Sequence, residues 1–419
     1  MTSLETALTV LGVLMVGGAL VSGVARRSFL SLTAVFVLAG FVLGEGGLEV
    51  LDFDPRGQFI ATLAVVALIV ILFRDGLEAE AEMIQTAWHL PLLKLVLALP
   101  ITGALVALCA HAVTDLSWTE SFLVGALLAP TDPVLSSSVI TNPRVPRVVR
   151  HSLNLESGLN DGLALPAVLA FAAALSQTES DFTWWRFVVQ DVSIGLVTGA
   201  AVGMIGSRLM PRSSALGHEI SAHQKALYAL GVAFAAYGSA VLPPEGNGFI
   251  SVFVCAIVLG ILRPDIRECF ESRSEDLIEV VKLGVFVVFG SLLTLGGLFD
   301  DGVAAVAIVA SALLVARPVA VFAALAGTRE VDVPTKAFMA WFGPKGVATM
   351  TFALFVLGQA IPEGERIFNI AALAVLTSII AHGLTDHAGS EWMARHAERA
   401  EEERARPPAG AIERPPLVE

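Results

Sequence analysis

Residues 126–133 read ALLAPTDP, which places two prolines and a carboxylate in the middle of an otherwise apolar segment. Proline removes a backbone donor and clashes with the preceding helical turn, so a helix through this stretch is predicted to be broken. Residues 341–347 read WFGPKGV and again combine glycine and proline with one charge. The alternative is a pair of ordinary proline kinks, and the charge at each interruption argues against it.

The composition is that of a membrane protein. Of 419 residues, 55% are hydrophobic and 16% are charged, and the mean hydropathy is +0.75. Apolar runs of about 20 residues recur along the chain, as expected of helices that cross a bilayer. The net charge of -13 leaves no extended basic patch, which excludes nucleic-acid binding. An all-α polytopic membrane protein is therefore predicted.

Apolar runs bounded by charges or by glycine and proline predict about 13 transmembrane helices. Arginine and lysine concentrate in alternate connections, so the positive-inside rule places the N-terminus outside and the C-terminus in the cytoplasm. Six spans, one linking span and six more would place the second half upside down relative to the first, as an inverted repeat. The predicted spans are 5–24, 28–44, 57–73, 89–113, 118–140, 151–176, 187–208, 224–242, 248–262, 277–295, 303–325, 337–359 and 367–384.

The two interruptions fall in the fifth and twelfth spans, which are equivalent positions in the two halves. Matching broken spans indicate a transporter's ion site, because non-helical backbone at membrane depth survives only inside protein or along a cavity. Half-helix ends carry partial charges that Asp132 and Lys345 have the signs to neutralise. Thr131 offers a cation its hydroxyl or its carbonyl oxygen, unless the hydroxyl bonds back to its own helix.

Further charges lie in the sixth and eleventh spans. Glu156 and Asn160 form one stripe of a helix, and Ser157 with Asp161 forms the next, because each pair is four residues apart. A charge at the bilayer centre costs about 2.5–3.5 kcal/mol, so each must be paired or functional. Glu156 and Asn160 can hold Arg317 in the eleventh span, either to orient the site or as a structural staple. Asp161 then remains beside Ser157 to hold one proton or one small cation.

The remaining charged residues are predicted to have structural roles. Residues 73–78 are predicted to form a charged turn that closes the third span at the cytoplasmic face. Lys94 and Lys282 are expected to extend toward the cytoplasmic ends of their spans. From about residue 391, mixed charges and then prolines predict a short solvated helix and a disordered tail.

These motifs together resemble the cation:proton antiporter 1 family, specifically its NhaP-type sodium/proton antiporters. The resemblance covers about residues 5–384, and its most specific element is the Glu-Ser pair one turn before the Asn-Asp pair. It implies a NhaA/NhaP-like antiporter fold with two crossing broken helices. It also implies that Asp161 binds cation and proton alternately. Ser157, Glu156 and Thr131 would assist, with Na⁺ held by the aspartate, the serine and the threonine.

The same resemblance implies roles for other residues and an arrangement of domains. Asn160 and Arg317 would organise the site. The family often has arginine in the second broken helix, where this chain has Lys345, so the charge is kept but bidentate pairing is lost. The implied parts are a dimerisation part at about 1–74 and 224–295, an ion-transporting core at about 89–176 and 303–384, a linking helix at about 187–208 and a cytoplasmic tail at 385–419.

The predicted function is exchange of Na⁺ (or Li⁺) for H⁺ by alternating access, for pH and sodium homeostasis at the cell (inner) membrane. Exchange should be electroneutral, since only Asp161 is left to change its occupant. The chain is expected to be no enzyme and to need no cofactor, with a monovalent cation, a proton, lipid and a second copy as its partners. A K⁺/H⁺ antiporter and a cation channel remain alternatives. An intramembrane protease is not expected, because the chain lacks a second catalytic aspartate in a suitable motif.

Overall fold

The computed structural model is all-helical, and no strand occurs among the residues that it describes. Within the described residues, six helices are long and apolar enough to cross a membrane, or seven if one bent pair counts as a span. The described residues are 5–6, 9–10, 12–17, 32–83, 89–132, 137–176, 183–211, 220–243, 245–328, 330–359 and 361–405. The helices are, in chain order, α1 (Leu32–Leu43), α2 (Gln58–Met83), α3 (His89–Val113), α4 (Trp118–Leu128), α5 (Ser137–Thr141), α6 (Arg147–Ser176), α7 (Trp184–Leu209), α8 (Ala222–Val241), α9 (Gly248–Leu262), α10 (Pro264–Ser291), α11 (Val303–Ala324), α12 (Val333–Trp341), α13 (Val347–Gly358) and α14 (Gly364–Ala405).

The predicted all-α fold is confirmed, and a helix lies within each predicted span from the second onward. Of the first span, residues 12–17 are helical and most of the remainder lies outside the described residues. The total of about 13 crossings stays a prediction. Several helices are longer than the apolar runs that predicted them, because charged residues extend them beyond the hydrophobic part.

Both predicted helix breaks are present. In the first broken helix, α4 ends at Leu128 and the backbone from Ala129 to Asp132 is not helical. The second half, α5, begins at Ser137. Pro133 belongs to this motif but lies outside the described residues. In the second broken helix, residues 342–346 separate α12 from α13. Proline in each motif ends the helix, as the sequence predicts.

The turn predicted at residues 73–78 is wrong, because α2 continues through it to Met83. Arg74 Nε and the carboxylate of Glu78 lie one helical turn apart and form an ion pair of 2.6 Å. Such i,i+4 pairs stabilise a helix, which explains why the charged residues extend α2 rather than end it. Asp75 is thereby turned into the protein interior.

A sharp corner joins α9 and α10, whose axes are bent by 118°. Arg263 at this corner is fully buried and donates hydrogen bonds to the carbonyl groups of Ser207 and Met210 at the end of α7. It also pairs with Asp265, at 2.8 and 3.0 Å. Because the last carbonyls of a helix lack partners within it, this one side chain closes α7 and fixes the corner against it.

The C-terminal helix differs from the expected separate, solvated helix. The thirteenth span and the start of the tail form one continuous helix, α14, of 42 residues. In its last part, Met393 is 1% exposed and Trp392 stacks on Phe338 of α12. Glu391 pairs with Arg144, which follows α5. The extension therefore packs against both broken helices, and residues 406–419 lie outside the described chain.

Helices α1 and α10 cross with their backbones in contact. A Cβ added at Gly290 would overlap the carbonyl oxygen of Val37, and one added at Gly40 would overlap that of Val287. Small residues at a crossing allow such close approach, which membrane helices use for van der Waals packing. A side chain at Gly290 would therefore push two backbones apart.

Gly290→Ala is expected to destabilise the purified protein by about 1–3 kcal/mol, the usual cost of overpacking. Thermal unfolding in detergent, followed by tryptophan fluorescence, measures the loss. Gly284→Ala, in the same helix, is the matched control because nothing lies within 4 Å of a Cβ added there. Equal melting temperatures for the two variants would contradict the close crossing.

Candidate ion-binding site

The two broken stretches contact each other. The backbone N–H of Asp132 donates to the carbonyl of Pro344 at 2.7 Å. One turn into α13, the hydroxyl of Thr349 donates to the carbonyl of Leu127 in α4 at 3.1 Å. The breaks therefore cross at their non-helical segments, and each segment supplies partners for the backbone of the other.

Two charged side chains satisfy the helix ends at this crossing. The ammonium group of Lys345 donates to the carbonyls of Ala129 and Pro130, at 3.3 and 3.1 Å, where α4 has ended. The carboxylate of Asp132 accepts from the N–H of Val347, the first residue of α13, at 3.2 Å. Both residues thus lie at half-helix ends, as the sequence predicts. Lys345, in the second break, binds the end of α4, and Asp132, in the first break, binds the start of α13.

Two residues of α14 bind the backbone groups freed by the second break. The hydroxyl of Ser378 accepts from the N–H of Lys345 at 2.8 Å and lies 3.1 Å from Nδ1 of His382. Nε2 of His382 lies 2.8 Å from the carbonyl of Trp341, the last residue of α12. Neither residue was singled out in the sequence, where a serine and a histidine four apart in an apolar span were the available signal.

Glu156 is held by two cationic side chains rather than one. Its Oε1 pairs with Arg317 at 2.8 Å, and its Oε2 pairs with Lys94 at 2.6 Å. Lys94 is 1% exposed and also donates to the carbonyl of Ser152, so the expectation that it extends to the cytoplasmic end is wrong. Because both carboxylate oxygens are engaged, this placement favours a role for Glu156 in organising the site. It does not support the cation-binding role expected of this residue.

Arg317 also completes the end of α12. Its guanidinium donates to the carbonyls of Ala340 and Met339, at 3.1 and 3.3 Å. A π-helical segment, Ser311–Ala316, immediately precedes Arg317, and another, Lys94–Ala98, begins at the second partner of Glu156. π-Helical turns re-aim side chains and are frequent at functional sites. Each of the two helices that precede the breaks therefore carries its cation at one end of a π-helical segment.

Asn160 binds the first break rather than Arg317. Its side-chain N–H₂ group donates to the carbonyl oxygen of Thr131 at 2.8 Å and lies 3.0 Å from the threonine hydroxyl. The expected contribution of Asn160 to the arginine pair is therefore not found. The hydroxyl of Thr131 does not bond back to its own helix, and its carbonyl keeps a second lone pair.

Asp161 lies on a cavity of about 30 Å³. Asn154, Ser157, Gly158 and Asp161 line it from α6, at the i, i+3, i+4 and i+7 positions of one face. This volume accommodates about one or two water molecules. Asp161 is buried, and its Oδ1 accepts no hydrogen bond from the residues that the structure describes. A buried carboxylate oxygen of this kind is suited to a small cation or a proton.

The opposite wall of the cavity contains two charged residues that the sequence analysis placed elsewhere. Asp75 of α2 is 6% exposed, and its carboxyl lies within hydrogen-bonding reach of Asp161. Lys282 of α10 is 8% exposed and lines the same cavity. The turn expected at Asp75 and the cytoplasmic position expected of Lys282 are both wrong, because α2 and α10 continue as helices beyond their apolar runs.

The charge count at the centre of the molecule is therefore larger than the sequence suggests. Five buried charges were expected, with one carboxylate left over. The structure adds one carboxylate and two lysines, which makes the numbers of buried anionic and cationic groups equal. The set around the two breaks is Asp75, Lys94, Asp132, Glu156, Asp161, Lys282, Arg317 and Lys345.

The sequence and the fold of this chain match those of known proteins. A profile described as "Sodium/hydrogen exchanger, transmembrane" matches residues 12–387. The chain belongs to the sodium/hydrogen exchanger family. The structure of the sodium proton antiporter MjNhaP1 from Methanocaldococcus jannaschii at pH 8 aligns with this exchanger at a TM-score of 0.80 and 20% identity, covering 94% of this chain and 98% of that one. The two proteins share a fold.

Relatives of this exchanger have different cations in their names. The K(+)/H(+) antiporter NhaP of Alkalimonas amylolytica is 25% identical over 404 residues, 94% of this chain and 68% of that protein. The K(+)/H(+) antiporter NhaP2 of Shewanella baltica is 24% identical over 372 residues, 87% of this chain and 62% of that protein. The Na(+)/H(+) antiporter NhaG of Bacillus atrophaeus is 26% identical over 385 residues, 87% of this chain and 71% of that protein.

Arg317→Ala and Lys94→Met are each expected to lower the stability of this exchanger by less than the roughly 3–5 kcal/mol lost when a buried pair is broken, because Glu156 keeps one partner. Arg317→Ala should cost more than Lys94→Met, since it also frees two carbonyls of α12. The double variant should lose more than the sum of the two. Thermal unfolding of the purified variants measures these losses.

Arg144→Ala is the control for this series, because its ion pairs with Glu391 and Glu398 are exposed. Exposed pairs contribute at most about 1 kcal/mol. Strict additivity of the Arg317 and Lys94 losses would show that the two cations do not share Glu156.

Proposed function

We propose that this chain is a secondary active antiporter, not an enzyme, that exchanges a monovalent cation for H⁺ by alternating access. The observation that carries the proposal is Asp161, a buried carboxylate with an unpartnered oxygen on a small cavity beside two crossed helix breaks. Other side chains bind the described ends of the two breaks, and none of those hydrogen bonds involves Asp161. A carboxylate left over in this way can bind either a proton or a cation.

The groups around Asp161 suit a small, hard cation. Carboxylate, hydroxyl and carbonyl oxygens are the ligands that such ions prefer. Ser157 and Asp75 line the cavity with Asp161, and the carbonyl of Thr131 is held nearby by Asn160. We assign the cation to Asp161, Ser157 and the carbonyl of Thr131, with Asp75 as a further oxygen donor that the sequence analysis did not include.

Proton and cation compete for the same pair of carboxyls. Asp75 and Asp161 lie within hydrogen-bonding reach of each other, and two carboxylates at this distance repel unless something neutralises one of them. One shared proton does this, and so does one monovalent cation between them. The pair therefore holds one load at a time, which supports a stoichiometry of one cation for one proton despite the second carboxylate.

A second cavity supports alternating access. It measures about 340 Å³ and lies between Ser176 and Gln359, at the ends of α6 and α13, with Asp191 and Glu245 in its wall. Along α6 it is about 22 Å from Asp161, at 1.5 Å per residue. We propose that movement of the core, residues 89–176 and 303–384, transfers Asp161 from the present cavity toward this one.

We propose Na⁺ (or Li⁺) as the cation, supported by the compact set of oxygen ligands. K⁺ is the second candidate, supported by the names of the NhaP relatives. Purified protein in liposomes that contain a pH dye decides between them when each alkali cation is added to vesicles with an imposed pH gradient. Dissipation that requires an added cation indicates an antiporter, whereas cation flux with no effect on the pH gradient indicates a channel.

The proposal includes the surroundings of the chain. We propose a homodimer in the cell (inner) membrane, with its N-terminus outside and its C-terminus in the cytoplasm, acting in pH and sodium homeostasis. The dimerisation part would comprise residues 1–74 and 224–295, with 187–208 as the linking helix. Crosslinking in intact membranes and accessibility of tags at each terminus test these assignments.

Asp161→Asn should abolish cation-driven proton movement, because the amide carries no charge for the cation and does not release a proton at Asp161. The variant should still purify as a folded protein, as judged by size-exclusion chromatography. Asp276→Asn, which removes an exposed carboxylate outside the cavity, is the matched control. Substantial residual exchange in Asp161→Asn would refute the assignment of the site.

Exchange should be independent of membrane potential, because one proton replaces one monovalent cation on the same carboxyl pair. A potential otherwise contributes about 2.3 kcal/mol per elementary charge per 100 mV. The measurement uses liposomes clamped by valinomycin and K⁺ gradients, after K⁺ itself has been tested as a substrate. If the Na⁺ gradient that balances a fixed pH gradient changes with potential, Asp75 and Asp161 carry separate loads.

A further inference from the structure

Lys282 is a largely buried lysine that lines the ion cavity and has no direct partner in the described part of the chain. It is 8% exposed, and no hydrogen bond or ion pair joins it to another described residue. Lys94 and Lys345, the other buried lysines of this region, each make such contacts. Burial of an unpaired charge is costly, so an unpaired lysine at this depth requires a function.

The groups that face Lys282 are those of the ion cavity. Asp75, Asp132 and Asp161 line it together with Lys282, and Arg74 and Glu78 stand at its edge. Arg74 and Glu78 pair with each other, and Asp132 is engaged at the start of α13. The charge of Lys282 therefore acts on the two carboxyls that hold the load, beside Asp132 and, in its own helix, Glu279.

Lys282 and Asp161 lie in parts of the chain to which the proposed function assigns different movements. Lys282 lies in α10, which packs against α1, α8 and α2, and Asp75 lies in α2. Asp161 lies in α6, which packs against α2 as well as against α4, the first half of the first broken helix. If the core moves as proposed, Asp161 moves away from Lys282, which lies in the proposed dimerisation part, and from Asp75, which directly follows residues 1–74 in the continuous helix α2. Asp75, Asp161 and Lys282 therefore lie where, in the proposed function, the core moves past the rest of the protein (the scaffold).

We propose that Lys282 is the scaffold's counter-ion for empty Asp161, and that it holds the core in place until Asp161 carries a proton or a cation. This inference rests on the proposed function. An empty Asp161 is negative and is attracted to the ammonium, whereas a loaded Asp161 is neutral and is released.

Removal of Lys282 changes the charge of the wall that faces Asp161. The scaffold wall then carries the negative charge of Asp75 alone, which repels an empty Asp161 and favours its departure without a load. A core that crosses empty lets the cation flow downhill without a matching proton. The residue therefore determines the coupling of transport rather than the chemistry of binding.

The test counts Na⁺ and H⁺ in the same vesicles, with radioactive Na⁺ for one flux, a pH dye for the other, and valinomycin with K⁺ holding the potential at zero. Wild type should move one Na⁺ per H⁺, and Lys282→Met should move at least twice as many. Lys282→Arg, which keeps the charge, should remain near the wild-type ratio. Lys225→Met removes a lysine that pairs with Asp265 outside the cavity and should not change the ratio.

A second experiment restores the charge within one folded sample. Lys282→Cys is made after alanine replaces the three native cysteines, Cys109, Cys255 and Cys269. Reaction of the thiol with 2-aminoethyl methanethiosulfonate forms a mixed disulfide, releases methanesulfinate and adds an ammonium group. This treatment should return the flux ratio to the wild-type value, and the neutral methyl reagent should not.

Slower transport at an unchanged ratio in Lys282→Met would overturn the proposal, because it would mean a structural role only. An equal rise in Lys282→Arg, or no recovery after aminoethylation, would also overturn it, since charge would not be responsible. A failure of the proposed function is distinguishable, because wild type would then show no cation-dependent proton movement at all.

Discussion

A helix broken inside a bilayer leaves backbone carbonyl and N–H groups that neither lipid nor the helix itself can satisfy. The centre of this molecule is organised around that constraint. Lys345 binds carbonyls at the end of α4, and Asp132 binds an N–H at the start of α13. Ser378 and His382 serve the second break from α14. The crossing is stable because each break provides a charged side chain that binds the free backbone groups of the other broken helix.

The compensation extends to the helices that precede the breaks. Lys94 in α3 and Arg317 in α11 both bind Glu156, one on each carboxylate oxygen. Each cation adjoins a π-helical segment, and each helix occupies the same place in its half of the chain. This correspondence is what an inverted repeat would produce, with a single carboxylate joining the two halves.

Beside the two breaks, three further charges face one small cavity. Asp161 from α6 faces Asp75 from α2 and Lys282 from α10. A carboxylate placed inside one rigid unit would bind an ion without being able to present it to two sides. If the core moves as proposed, the occupancy of Asp161 alters its attraction to Lys282, and binding then influences movement.

The sequence by itself determined the fold class, both breaks and the central residues of the site. Proline, glycine and charge within an apolar run are local signals, and the four-residue spacings around Asn160 and Asp161 predict shared helix faces. Only the tertiary structure decided that Lys94, Asp75 and Lys282 are buried with them. Each lies near the end of its span in the sequence, where a charged side chain can reach water. Its burial depends on how far the helix continues and on which helix packs beside it, and hydropathy along one chain contains neither.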